Sequence, residues 1–393
     1  MAYAFDPFST SVRDEDPYVV YKTLRDETPF YYDDRWDLWV LSRFEDVFAA
    51  LRDWETFSQE PDVDIDGFMV DLLEPRGNIL VMDPPRHTEL RSFINATKVF
   101  SNRSMKAMEP AIAAVIDRLI DGFVEGGHAD LVQDFAYQLP LQVGPVLIGF
   151  PEEDMPIIDS WHRPTQVRTP GVRGIPDEAF EGGAKIRAYI DDLVEDRRNN
   201  PKDDLVSTIA AASLDGHMTA DEASGLTFIL FEASIDTTSG LLSNAFYHLA
   251  KQPDQRQILI DDPSVIPNSV EEFLRFDDPV QFNARTLTRD FELHGQQAKT
   301  GDRAILLFGS ANRDEREFPD PDRLDVTRQM RRHLGFGTGI HLCIGAPLAR
   351  LESQLALERI LTRIPDYELA GEPERIVKQN LRGFQHLPVS FSV

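Results

Sequence analysis

Residues 335–345 read "GFGTGIHLCIG", and they contain Cys343, the single cysteine of a 393-residue chain. The run Phe336-Gly337-Thr338-Gly339 is one along which backbone can approach a flat ligand closely. Pro347 follows and suits the first turn of a helix. A thiolate at Cys343 would therefore face backbone N–H groups and the positive end of a helix dipole, which both stabilise negative charge. Such a sulfur suits a metal, although a lone cysteine also serves as a small core residue. Zinc–thiolate and iron–sulfur clusters need more ligands than one cysteine offers, whereas an axial thiolate to haem iron needs one.

The rest of the chain sets limits. With 67 acidic against 40 basic residues the formal charge is -27. A surface of that sign repels nucleic acid and anionic membranes. No run approaches the roughly 18 apolar residues of a membrane span. The first residues, "MAYAFDPFSTSVRDEDPY", lack a basic region followed by an apolar stretch, so no signal peptide is expected. A cytoplasmic protein follows as the expectation.

From Asp83 to about residue 251 the apolar spacings are of three and four, which predicts helices. "DPPRHTELRSFI" suggests an N-cap at Asp83. The longest helix candidate follows Met218, with Thr219 and Glu222 as a capping box and Pro253 as its stop. It would run for about 45 Å, apolar on nearly all sides and so buried. Short strands ("FYYD", "LWVLS", "FELHG", "RAILLF") lie near both ends, and a last helix is expected over 347–363. The fold class is mainly α with a small β portion, as one domain over 1–393. Its helix-rich part is about 83–275, and its strand-containing parts are about 1–60 and 280–393.

"FGTGIHLCIG" resembles the haem-binding signature of the cytochrome P450 family, soluble bacterial type. Phe336, Gly337, Gly339, His341, Cys343 and Gly345 each match a position of it. The resemblance implies the family fold, with the long helix crossing the distal face of a haem b. It implies Cys343 as the iron ligand, with Phe336, Gly337 and Gly345 shaping the cofactor loop. It implies His87, Arg91, Arg285 and His341 as partners of the haem propionates. Asp236 and Thr237 match the family's acid–alcohol pair, in which the hydroxyl holds a water and the acid relays protons. The Thr237 hydroxyl could also bond back to a helix carbonyl, and both can hold. Ser234 stands where the family usually has glycine. "EEFLR" implies a buried ion pair of Glu272 with Arg275, completed by Arg323.

The implied activity is monooxygenation, that is, hydroxylation or O-demethylation of a small organic substrate with O2. Electrons would come from a ferredoxin and its NAD(P)H reductase, docked near Arg331 and Arg332 on a monomer. A peroxide-driven haem oxygenase of the same fold and a non-catalytic haem sensor are the alternatives. Ile229, Ala233, Gln281 and Phe282 are expected at the substrate. Glu232 interrupts an apolar stretch, and a buried carboxylate must be paired or neutralised. It is either a salt bridge to a neighbouring helix or an acceptor for a substrate hydroxyl or amine. Arg76 is a candidate grip for a substrate carboxylate, as the resemblance to bacterial members acting on aromatic acids implies for an arginine near this place, and "LFGSANRD" and "NLRGFQHLPV" also resemble members that oxidise or O-demethylate small aromatic acids.

Overall fold

The computed structural model describes residues 16–60, 77–165, 176–376, 378 and 380–392. Arg76 and residues 166–175 lie outside them. The chain starts with α1 (Pro17–Glu27), β1 (Phe30–Asp33), β2 (Leu38–Leu41), α2 (Phe44–Arg52) and β3 (Phe57–Ser58). The helical part runs through α3 (Arg86–Thr97), α4 (Asn102–Asp121), α5 (Gln138–Ile148), α6 (Met155–Thr165), α7 (Asp177–Asn199), α8 (Leu205–Leu214), α9 (Ala220–Lys251), α10 (Pro253–Asp261) and α11 (Ile266–Phe276). Two strands, β4 (Phe282–Leu287) and β5 (Arg303–Leu307), and the helix α12 (Ala346–Arg363) follow. The largest sheet has the order β1-β2-β5-β4-β3. Its strands pair antiparallel except β2 with β5, which are parallel, Val40 opposite Ile305. The architecture is mainly α with a small β portion.

The long helix forms where its signals stand. The Thr219 hydroxyl accepts from Glu222 N, and the Glu222 carboxylate accepts from Thr219 N at 2.7 Å. Glu222 also receives two bonds from the Arg86 guanidinium, each 2.6 Å, which tie α3 to the start of α9. With 32 residues, α9 is about 48 Å long. Phe231, Ile235, Leu242 and Phe246 are buried along it, packed in one core with residues of α4, α5 and α12. Each such side chain contributes about 1.5–3 kcal/mol. The α5 backbone comes close enough to α9 that a Cβ on Gly144 would stand 2.4 Å from Ser234 Oγ.

Two expectations need correction. The helix α3 begins at Arg86 without a side-chain cap. The Asp83 carboxylate instead accepts from the Ser58 hydroxyl and from Gln59 N, so it closes the end of β3. The Glu272–Arg275 pair is fully buried, with bonds of 2.7 and 2.8 Å. The arginine that completes it is Arg328, whose Nε lies 3.2 Å from Glu272 Oε1. Arg323 is exposed and contributes only its carbonyl, which accepts from Arg328 at 3.0 Å. The chain turns at Asp320–Arg323, which leaves the Arg323 side chain in water and brings position 328 back over α11.

Replacing Arg328 by Ala leaves part of a buried carboxylate unpaired. We expect it to lower unfolding free energy by about 1–3 kcal/mol in denaturant titrations, whereas Arg323→Ala stays within about 0.5 kcal/mol of the parent. Equal losses from both would return the pairing to Arg323.

Candidate active site

The cysteine loop is anchored at both ends. Ahead of it, His333 Nε2 lies 2.8 Å from Glu271 and Leu334 N donates to Asn312 Oδ1 at 2.7 Å. Behind it, Arg350 on α12 donates to the same Glu271 at 2.6 and 2.8 Å. Although burial alone would raise it, these two partners bring the Glu271 carboxyl down to about 2. Between the anchors Cys343 N donates to Phe336 O at 2.9 Å and closes the loop. Gly337 and Gly339 have φ of 65° and 71°, where side chains are strained. At Gly339 a Cβ would also stand 2.5 Å from the carbonyl oxygen of Leu51, because the loop lies on the end of α2.

Cys343 lines a cavity of about 230 Å³ enclosed between this loop and α9, and its exposure is to that space. Burial among protein groups pushes the thiol up. The N–H groups of Gly345 and Ala346, with Arg91 and Arg350, work against that and favour the thiolate. Across the cavity stand Ile229, Ala233, Ser234 and Thr237 of α9. The Thr237 hydroxyl donates to Ala233 O at 2.9 Å, and Ser234 does the same to Phe231 O at 2.7 Å. The Thr237 oxygen is thus held by the helix and still borders the cavity.

The rim is cationic. His87, Arg91, Arg285 and His341 all line the cavity. The His87 and His341 rings are 4.4 Å apart, and among the described residues neither His87 nitrogen nor His341 Nε2 has a hydrogen-bond partner. Burial, then the charges of Arg285, His87 and Arg91, push His341 down to about 2. Burial lowers Arg285 to about 10 and lowers Arg91 and His87 as well. Asp83 is the carboxylate that acts on Arg285 and His87. Buried cations and orphaned imidazole nitrogens call for an anion in the space they border. A flat macrocycle carrying two carboxylates fits this donor set, and Cys343 would hold its metal.

Other expected residues are turned elsewhere. Glu232 does not line this cavity; its Oε2 lies 3.5 Å from Nε2 of the buried His162 on α6. The salt-bridge alternative thus replaces the substrate contact, because positions 229, 233 and 237 share the cavity face of α9 and 232 falls on another. Asp236 also faces away. It pairs with Lys378, lies 3.9 Å from His162 Nε2, and borders a second cavity of about 370 Å³. Gln281 donates to Asp278 O at 2.6 Å, and Phe282 packs among Tyr21, Leu24 and Ile305. Val280 and Asn283 line the cavity in their place. Counting by two back from Arg285 along β4 finds Asn283 and puts Phe282 on the opposite face. That alternation stops at Gln281, which precedes the strand.

Sequence reasoning also missed His162. Met155, Ile158, His162 and Thr165 are the buried positions of α6, a helical spacing that the proline and arginines nearby obscured. Arg332 is committed to Glu317 and Glu45 and lies over the rings of Phe44 and Phe48. Arg331 is exposed, as are Lys98 and Arg103 and the Leu342 side chain beside the cysteine. No described helix is long and apolar enough to cross a membrane.

The family model for cytochrome P450 matches residues 173–380. The chain is 36% identical over 389 residues to putative cytochrome P450 123 of Mycobacterium tuberculosis, covering 98% of this chain and 96% of that one. It is 35% identical to cytochrome P450 CYP199A2 of Rhodopseudomonas palustris, covering 98% and 93%. Among solved structures it is similar to CYP109E1 of Bacillus megaterium in complex with testosterone, with a TM-score of 0.89, 28% identity, and 96% and 98% coverage.

Gly337 and Gly339 separate backbone conformation from space. Alanine at either position meets a positive φ, costing about 1–3 kcal/mol. At Gly339 it also clashes with the Leu51 carbonyl, whereas at Gly337 the His341 carbonyl stands at an ordinary 3.7 Å, so Gly339→Ala is expected to lower the denaturation midpoint clearly more than Gly337→Ala. Equal midpoints would show that the loop gives way at Leu51 without cost.

Proposed function

This chain belongs to the cytochrome P450 family, whose members bind haem b and act as monooxygenases, and on that footing we propose that it hydroxylates or O-demethylates a small organic substrate. The observation that carries the reading is one cavity with three kinds of wall: a thiolate cradle at Cys343, a rim of arginines and buried histidine nitrogens, and the Thr237 hydroxyl opposite. Cys343 Sγ would hold the haem iron, and the N–H groups of Gly345 and Ala346 favour its negative charge. His87, Arg91, Arg285 and His341 receive the propionates, while Phe336, Gly337 and Gly345 shape the loop. When bound, the haem iron supplies the oxygen activation and hydrogen abstraction that side chains lack.

The protein's own work is placement and proton control. Thr237 holds a water or a proton at its Oγ1 on the cavity side. Asp236, one residue away on the other side of α9, supplies protons toward it. Leu80, Ile229, Ala233 and Val280 make an apolar wall that excludes water from the reacting carbon. Such a wall suits a small apolar or aromatic body. Arg76 remains the proposed carboxylate grip for an aromatic acid, on the strength of the sequence resemblance. The intact Asp236–Thr237 pair favours electron-driven over peroxide-driven chemistry and over a sensor. The reading includes a monomeric cytoplasmic enzyme served by a ferredoxin and its NAD(P)H reductase.

The test begins with the reduced carbon monoxide adduct, whose long-wavelength Soret band reports thiolate ligation. A screen of aromatic acids and phenols for the low- to high-spin shift then supplies a substrate. With a surrogate ferredoxin and reductase, Thr237→Ala is expected to form roughly tenfold less product per NADH, with hydrogen peroxide making up the difference. An adduct without that band, or unaltered coupling in the variant, would overturn the assignment.

Donor docking has its own expectation. Because Arg332 is already paired, Arg331→Glu should slow reduction by ferredoxin at low salt and lose its effect as salt rises. Arg332→Glu should instead lower the melting temperature. The opposite pattern would move the docking role to Arg332.

A further inference from the structure

Behind α9, on the side away from the cysteine, lies a buried polar file. His162, fully buried on α6, faces two carboxylates one helical turn apart. Its Nε2 is 3.5 Å from Glu232 Oε2 and 3.9 Å from Asp236 Oδ1. Its Nδ1 is 3.0 Å from the Tyr137 hydroxyl, which donates to Asp159 Oδ1 at 2.9 Å. Asp159 is partly exposed and is also bonded by Arg163 Nε at 2.9 Å. Tyr137 and Asp236 both border the second cavity. The file thus runs from the outer face of α6 to the residue before Thr237.

We propose that His162 is the internal proton donor to Asp236, reloaded from the surface through Tyr137 and Asp159. The proposal deepens the monooxygenase reading and rests on it. Tyr137 has one proton and gives it to Asp159, so the hydrogen between Tyr137 and His162 belongs to Nδ1. With its second proton on Nε2, His162 is a cation aimed at Glu232 and Asp236. Transfer breaks the Nε2–H bond and forms an O–H bond on Asp236, leaving a neutral imidazole and a neutral acid. The 3.9 Å gap closes by a small rotation or one bridging water. The neutral ring then turns over and presents its unprotonated nitrogen to Tyr137, whose O–H swings from Asp159 to that nitrogen and gives it the proton, while Asp159 returns to the Tyr137 oxygen a proton drawn from solvent. Every proton that leaves His162 is replaced from solvent, and no redox step is involved.

The surroundings suit a cation that can let go. Burial lowers His162, but Glu232 and Asp236 outweigh it and hold it above the usual imidazole range. Lys378, on Asp236, opposes them and limits the rise. Among the described residues, the charged and titratable groups at His162 are Glu232 and Asp236 from α9, Lys378 from the C-terminal segment and Tyr137 ahead of α5. Asp159 and Arg163 of α6 act through Tyr137, and α7 packs on α6 where Gly182 meets Trp161 and Thr165. Glu232, with its like charge beside Asp236, is a positioning residue: it keeps His162 charged while Asp236 is occupied by Lys378.

The test uses the holoenzyme and its His162→Gln and Tyr137→Phe variants. NADH-driven oxygen uptake is measured with saturating surrogate ferredoxin and reductase, in light and heavy water, without added substrate. Both variants are expected to slow, His162→Gln by about tenfold, with a larger solvent isotope effect than the parent. A clamp with no relay role would leave the isotope effect unchanged, and that result overturns the proposal. Melting of the ferric protein supplies a readout apart from turnover. A raised histidine stabilises the fold below its unfolded value and loses that contribution as pH rises through its folded value. The melting deficit of His162→Gln should therefore be largest near about pH 6 and shrink with rising pH. A deficit independent of pH would show that His162 carries no proton to give. If the parent itself takes up no oxygen above the ferredoxin blank, the monooxygenase reading fails instead, and the melting profile still decides the state of His162.

Discussion

Two adjacent carboxylates on α11 hold the cysteine loop where it is. Glu272 points inward and gathers Arg275, Arg328 and the N–H of Asp325, which fixes the segment leading to the loop. Glu271 points sideways and gathers His333 and Arg350, one on each side of Cys343. A buried ion pair costs desolvation of both partners and is retained only with good geometry and further hydrogen bonds. Here each carboxylate meets several donors, so the charge specifies position as well as stability. Without that frame, Gly337 and Gly339 would leave the loop free of any preferred path over α2.

The long helix divides the chemistry by its pitch. Successive residues turn by about 100°, so Thr237 borders one cavity while Asp236 borders another. The same rotation separates Ala233 from Glu232. An apolar space for substrate and a polar space for proton traffic can therefore lie on two sides of one helix. The hydroxyls of Ser234 and Thr237 both bond to carbonyls of the preceding turn, which keeps them ordered without partners from outside the helix. The cationic rim adds the third element. Both His87 nitrogens and His341 Nε2 lack partners among the described residues, so binding an anionic macrocycle would relieve a cost that folding leaves in place.

The sequence by itself determined what depends on neighbours along the chain. The cysteine loop, the capping box of α9, the short strands and the Glu272–Arg275 pair rest on local spacing, and spacing is visible in one dimension. Family resemblance extended that legibility to His87, Arg91, Arg285 and His341, which the fold brings to one rim from three separate segments. Only the tertiary structure decided which way a side chain turns where distant elements compete for it. Arg328 replaced Arg323 because a turn returns the chain over α11. Glu232 turned to His162 because α6 packs on that face of α9, and Phe282 turned to the core because the strand alternates from Arg285. Arg332 was taken by Glu317 and two phenylalanine rings, leaving Arg331 to solvent. For Glu232 the sequence already required a partner, but that partner, His162, lies far away in the chain. Its position follows from packing, which has no one-dimensional signature.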